Sequence, residues 1–176
     1  IPSGILHDKK GVVNIIGNGV VLDPVEVMHE MTGLHNAGYG LDHLMISHNA
    51  HLVLPQHILL DRLGESVAGK GKIGTTGRGI GHAYQDIVAR TALTVNDLLN
   101  KDTLRKKLER TLEPPRRILQ THDPEIVKNI LHNPKVAAFS QGLFYHPTEG
   151  INLDALVEVY SQYGDPFQSH LAVIDL

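Results

Sequence analysis

Between residues 69 and 81 the chain reads GKGKIGTTGRGIG, and neither a helix nor a strand can run through that stretch. Six of these thirteen residues are glycine, three are basic, and Thr75 and Thr76 stand together between glycines. Glycine weakens a helix interior and gives a strand no side chain to pack. The stretch is therefore a loop, and the rest of the fold must be arranged around it.

A loop of this composition suits an anion. Glycines accept positive φ and let successive N–H groups converge on one point. Thr75 and Thr76 add hydroxyl donors, and Lys70, Lys72, Arg78 and Arg90 add positive charge. An arginine can hold phosphate oxygens bidentately where a lysine acts as a point charge. A helix beginning near Ala83 would point its N-terminus at the same place. The segment is neither a Walker A loop, since no G-x-x-x-x-G-K-[ST] occurs, nor a dinucleotide fingerprint, since its glycine spacing differs. Phosphate binding and a plain flexible loop both remain open on composition alone.

The flanks predict an α/β arrangement. Residues 12–22 form a Val/Ile-rich run interrupted by Gly17-Asn18-Gly19, as in a buried strand entering a tight turn. Asp23-Pro24 is a helix start, with Val27, Met28, Met31 and Leu34 following at helical spacing as core positions. Leu44–Ser47 then predicts a second strand, so strand, helix and strand make a parallel βαβ unit. Residues 55–64 predict a helix with Ile58, Leu59 and Leu63 inward and Asp61, Arg62 and Glu65 outward.

Helical patterns dominate after residue 97. Asp102 is the expected cap of a segment carrying Leu104, Leu108 and Leu112 and stopped by Pro114-Pro115. Asp123-Pro124 opens another with Ile126, Val127, Ile130 and Leu131, and Leu153, Leu156, Val157 and Tyr160 mark a third ended by Gly164. Leu171–Leu176 is strand-like. The chain thus divides into an α/β portion over 1–95, carrying the loop at 69–81, and a mostly helical portion over 96–176. It opens on Ile1 and closes on an apolar run, which reads as an internal piece of a longer sequence.

Composition removes several functions. Sixteen Lys+Arg against 19 Asp+Glu give a net charge of −3, so neither a nucleic-acid sleeve nor a polybasic membrane binder is expected. There is no cysteine, hence no disulfide, thiolate metal site or cysteine nucleophile. No apolar run is long enough to span a bilayer, and a reducing, cytoplasmic setting suits the chain. No serine sits in a G-x-S-x-G elbow. His43, His48, His51 and His57 cluster in sequence without a supporting carboxylate, so core-edge or solvated histidines are expected rather than a metal site. His57 and Asp61 are four apart, a spacing that more often makes a surface contact than a catalytic pair. Arg105-Lys106-Lys107 and Arg116-Arg117 read as solvated helix faces.

Lys72–Gly81, followed by Ala83-Tyr84, Asp86 and Val88-Ala89-Arg90, closely resembles the signature of the adenylosuccinate synthetases. Ile1–Leu6, Gly17–Pro24 and His51–Pro55 with His57 and Asp61 match further blocks of that family in the right order. The resemblance covers about residues 1–100. It implies a P-loop-NTPase-like α/β fold and an enzyme that ligates IMP and L-aspartate, using GTP and magnesium, in purine nucleotide synthesis as a cytoplasmic homodimer. Carried onto this chain, Thr76 binds the phosphate of IMP and Arg90 reaches the nucleotide held by the partner subunit. Gly74, Thr75, Gly77, Arg78, Gly79 and Gly81 form the supporting loop.

The sequence departs from the family at His82, Gln85 and Ile87, where Pro, Glu and Lys are usual, and at Thr91, where many members carry a second Arg. His35-Asn36-Ala37-Gly38 imitates the family's catalytic His block but follows the Gly17-Asn18-Gly19 turn instead of preceding it, and so reads as a helix end. The Gly-Asp-Glu-Gly-Lys-Gly-Lys loop that carries the family's catalytic Asp and magnesium contacts does not occur here. No catalytic residue and no metal ligand is therefore assigned, the principal GTP contacts are missing, and the chain by itself is expected to be inactive. The alternative is an inactive nucleotide-binding or dimerisation module derived from the same family.

Overall fold

A computed structural model describes residues 1–7, 11–71, 74–131, 144–146 and 150–172. The predicted βαβ unit is present. Strand β1 (Asn14–Ile16) leads through β2 (Val21–Leu22) into helix α1 (Pro24–Asn36) and then to β3 (Leu44–Ser47) and β4 (His51–Leu52). β1 pairs with β3 and β2 with β4, both in parallel. Asn14 lies opposite Leu44 and Val21 opposite His51, the same offset of 30 residues. The two short ladders are thus one parallel pairing interrupted by the Gly17-Asn18-Gly19 turn, where Asn18 and Ser47 join through their side chains.

Helix α1 starts as its sequence dictates. The Asp23 carboxylate accepts the Val25 N–H at 2.9 Å, Pro24 fills the first helical position, and Pro24, Val27 and Met31 face the core. It ends at His35-Asn36-Ala37-Gly38. Gly38 adopts φ +85°, its N–H reaches the His35 carbonyl, and the Tyr39 N–H reaches Leu34, a helix-terminating motif that needs the left-handed residue.

Helix α2 (Pro55–Ala68) and helix α3 (Ile80–Ala89) pack against each other with the glycine loop between them in sequence. A 3-10 turn, Val95–Leu99, precedes α4 (Lys101–Gln120), followed by α5 (Pro124–Leu131). A small antiparallel pair, β5 (Tyr145–His146) and β6 (Gly150–Ile151), leads to α6 (Leu153–Ser161), α7 (Gly164–Gln168) and β7 (Leu171–Ala172). β7 returns to the first sheet and pairs parallel with β3, giving the order β1-β3-β7. The expected strand over Leu171–Leu176 is seen at its first two residues, and 173–176 lie outside the described residues.

Three expectations in this half are corrected. Helix α4 runs through Pro114-Pro115 to Gln120, because Leu112, Pro115 and Leu119 extend one buried stripe and burial outweighs the lost backbone bonds. Its cap is Asn100, whose side chain accepts the Thr103 N–H at 2.9 Å, and Asp102 lies in the first turn. Gly164 opens α7 instead of ending a helix: a Cβ there would lie 2.6 Å from the Leu98 carbonyl oxygen, so only glycine lets α7 sit on the Val95–Leu99 turn. The basic faces are also less free than their pattern suggested, since Lys107 pairs with the buried Asp97 at 2.8 Å and Arg105 with Asp154.

Candidate functional site

The glycine loop is held from below by α2. Gly79 is buried, with φ +74°, and its N–H donates to the Asp61 carboxylate at 2.9 Å. The Gly74 N–H donates to both Glu65 oxygens at 3.2 Å. Gly74 and Gly77 also have positive φ, +77° and +65°. The Arg62 guanidinium lies against Gly77, 3.4 Å from where a Cβ would stand. Asp61, Arg62 and Glu65 therefore do not form the solvated outer face their periodicity implied. The loop folds back over that face and donates hydrogen bonds to it, a long-range event that helical spacing does not encode.

Above this support Thr75, Thr76 and Arg78 are exposed, while Lys72, expected to lend charge to the loop, lies outside the described residues. A cavity of about 660 Å³ opens beside them, bordered by Thr76, Gly77 and Arg78 of the loop, Arg62 of α2, and Asp23 and Glu26 of α1. A second recess of about 360 Å³ lies on the other side, between Thr75, Thr76, Asp61, Glu65, His82 and Gln85. Thr76 borders both. Burial pushes the Asp23 carboxyl up to about 7, against the pull of its helix-cap hydrogen bonds and of Arg78. The mouth thus sets Arg62, Arg78 and the Thr76 hydroxyl opposite the carboxyl groups of Asp23, Glu26 and Glu30. Such a surface can take a phosphate on its loop side.

The structure gathers Gly74, Thr75, Thr76, Gly77, Arg78 and Gly79 in one loop before α3, with Gly79 at the N-cap, while Gly81, expected in the loop, stands in the first turn of that helix. It leaves Arg90 at the far end of that helix. Arg90 is exposed, with φ 60° and ψ 34°, the non-glycine residue with positive φ among those described. Loop and Arg90 therefore stand at opposite ends of the ten-residue α3, about 15 Å apart by the rise of a helix.

Sequence reasoning missed how α2 is used. His57, expected at a core edge or in a surface pair with Asp61, is 3% exposed and bonds elsewhere. Its Nδ1 accepts the Leu54 N–H at 3.0 Å, and its Nε2 faces the Asp86 carboxylate at 3.1 Å. The signal that could have found it was its position three residues after Leu54, which precedes the helix-starting Pro55, where a side chain can turn back onto the helix start. Among the described residues no three His, Asp or Glu side chains gather as a metal site.

The comparisons decide the family. The sequence pattern of the adenylosuccinate synthetases matches residues 1–143. This chain belongs to the adenylosuccinate synthetase family. It is 50% identical to the adenylosuccinate synthetase of Chlorobium chlorochromatii over 121 residues, 68% of this chain and 27% of that one. Against the synthetase of Frankia alni the identity is 41% over 172 residues, 98% of this chain and 34% of the other. A fully ligated adenylosuccinate synthetase from Plasmodium falciparum has the same fold, with TM-score 0.67 and 19% identity over 97% of this chain and 34% of its own. The chain thus spans about a third of the length of the synthetases it matches. The resemblance read from residues 1–100 extends, in these full-coverage matches, through the helical half as well.

Proposed function

We propose that this chain supplies the IMP-phosphate loop and the subunit-crossing arginine of a synthetase that joins IMP to L-aspartate in purine nucleotide synthesis. The observation that carries the reading is the loop Gly74–Gly81, with its left-handed glycines, exposed Thr75 and Thr76, and Arg78 at a cavity of about 660 Å³. In this reading Thr76 donates its hydroxyl to the IMP phosphate, Arg78 neutralises it, and Gly79, its N–H held by Asp61, fixes the loop on α2. The placement of the loop and Arg90 at opposite ends of α3 supports a site shared between two copies, with Arg90 of one protomer meeting the nucleotide held by the other. Val88, 84% exposed just before Arg90, supports a covered surface there.

The whole reaction also consumes GTP and uses magnesium, in a cytoplasmic homodimer. Among the described residues no three His, Asp or Glu side chains gather as a metal site. The part of this chain is to bind, orient and neutralise.

Mixing tests the shared site. Thr76→Ala and Arg90→Ala chains, each weakened for IMP alone, regain intact sites in mixed dimers if Arg90 crosses the interface. Mixing that restores no binding sinks the crossing, and an unaffected Thr76→Ala chain sinks the loop.

A further inference from the structure

The C-terminal end of α3 is tied down with more hydrogen bonds than a helix end needs. The Asp86 carbonyl accepts the Thr91 N–H at 2.9 Å and the Ala92 N–H at 3.2 Å, while the Arg90 N–H reaches Ile87 at 3.1 Å. The Thr91 hydroxyl donates to Asp86 Oδ1 at 3.1 Å, and the other carboxylate oxygen, Oδ2, faces His57 Nε2 at 3.1 Å. The His57 tautomer is fixed by its far nitrogen. Nδ1 accepts the Leu54 N–H, so Nε2 carries the proton and donates it to Asp86. Beyond the turn, the Leu93 carbonyl accepts the Leu52 N–H at 2.9 Å and anchors the chain to β4.

Between these anchors stands Arg90, in a left-handed conformation that a side chain adopts only when its surroundings impose it. An ordinary helix end would place glycine there. We propose that His57, Asp86 and Thr91 are positioning residues for Arg90: they lock the left-handed turn and so aim its guanidinium away from its own chain. Thr91 closes the relay in this chain by offering its hydroxyl to Asp86. The proposal rests on the reading of Arg90 as a nucleotide contact, and its test separates the two.

The isotope-labelled 176-residue chain is compared with its Thr91→Val, Thr91→Ser and Asp86→Asn variants. In Asp86→Asn the side-chain amide offers one oxygen where His57 and Thr91 need two. Carbon shifts of Arg90 report the left-handed backbone without any ligand. Thr91→Val and Asp86→Asn are expected to move them toward averaged values, and Thr91→Ser, which keeps the hydroxyl, to leave them in place. In IMP titrations Thr91→Val weakens binding about 3- to 10-fold, the worth of one hydrogen bond, but adds nothing to Arg90→Ala because it acts through that residue. Unmoved Arg90 shifts in folded Thr91→Val and Asp86→Asn chains overturn the relay, as does a Thr91→Val loss that persists undiminished beside Arg90→Ala. If Arg90→Ala leaves IMP binding unchanged, it is the contact reading that fails, and the shifts still decide the relay.

Discussion

Replacing Gly79 by alanine isolates what the close seat of the loop on α2 contributes. A Cβ at this position would lie 2.6 Å from the His57 carbonyl carbon, 2.6 Å from the Ile58 nitrogen and 2.8 Å from the His57 Cβ. Two of these are backbone atoms in the first turn of α2 and cannot swing aside. The residue also sits at φ +74°, where a side chain costs about 1–2 kcal/mol. Forcing the loop or the helix apart adds about 1–3 kcal/mol, the usual range for overpacking. Gly79→Ala should therefore lose about 2–5 kcal/mol in all. Gly74→Ala is the control, because Gly74 has nearly the same φ, +77°, with nothing within 4 Å of its Cβ position. It should lose only the conformational part, about 1–2 kcal/mol. Urea unfolding at constant m gives both values from the shift in midpoint. A Gly79→Ala chain no less stable than Gly74→Ala would refute the close-approach reasoning.

Asp23 makes stability depend on pH in an unusual direction for a carboxylate. Burial raises it from 3.8 to about 7 in the folded chain, so folding holds its proton more tightly. The stabilisation is complete below 3.8 and is lost as pH rises through 7, by at most about 4 kcal/mol at 1.36 kcal/mol per unit. Asp23→Asn keeps the helix cap and should flatten this slope between pH 4 and 7 in denaturation curves; an unchanged slope refutes the assignment. Gly164→Ala should lift α7 from the Leu98 carbonyl, 2.6 Å from the added Cβ, and lose about 1–3 kcal/mol. Faster hydrogen exchange in α7 and in the Val95–Leu99 turn checks it, and protection equal to the parent chain contradicts it.

Much of the fold is legible where chemistry is local. Asp23-Pro24 starts a helix through its own carboxylate, Gly38 ends it through its own backbone, and the Val/Ile runs on either side pair in parallel as βαβ arithmetic requires. The loop is legible over its middle, though Gly69–Gly71 form a 3-10 turn and Gly81 stands in the first turn of α3. What the sequence hides is long-range. Pro114-Pro115 looks like a stop, yet the stripe through Leu112, Pro115 and Leu119 is buried by elements brought from elsewhere in the chain. Asp61 and Glu65 look solvated until the loop folds back onto them, and His57 finds its partner 29 residues away at Asp86. Family resemblance supplied roles for Thr76 and Arg90. It did not supply the reason that Arg90 holds a left-handed turn, which only the bonds around Asp86 provide.

The loop's assignment as a phosphate site is tested most directly by calorimetric titration of the chain with IMP and, separately, with inosine, which lacks the phosphate. Binding of IMP stronger than that of inosine, with the difference reduced in Thr76→Ala, is the expected result. Equal affinity for the two, or a difference untouched by Thr76→Ala, would contradict it.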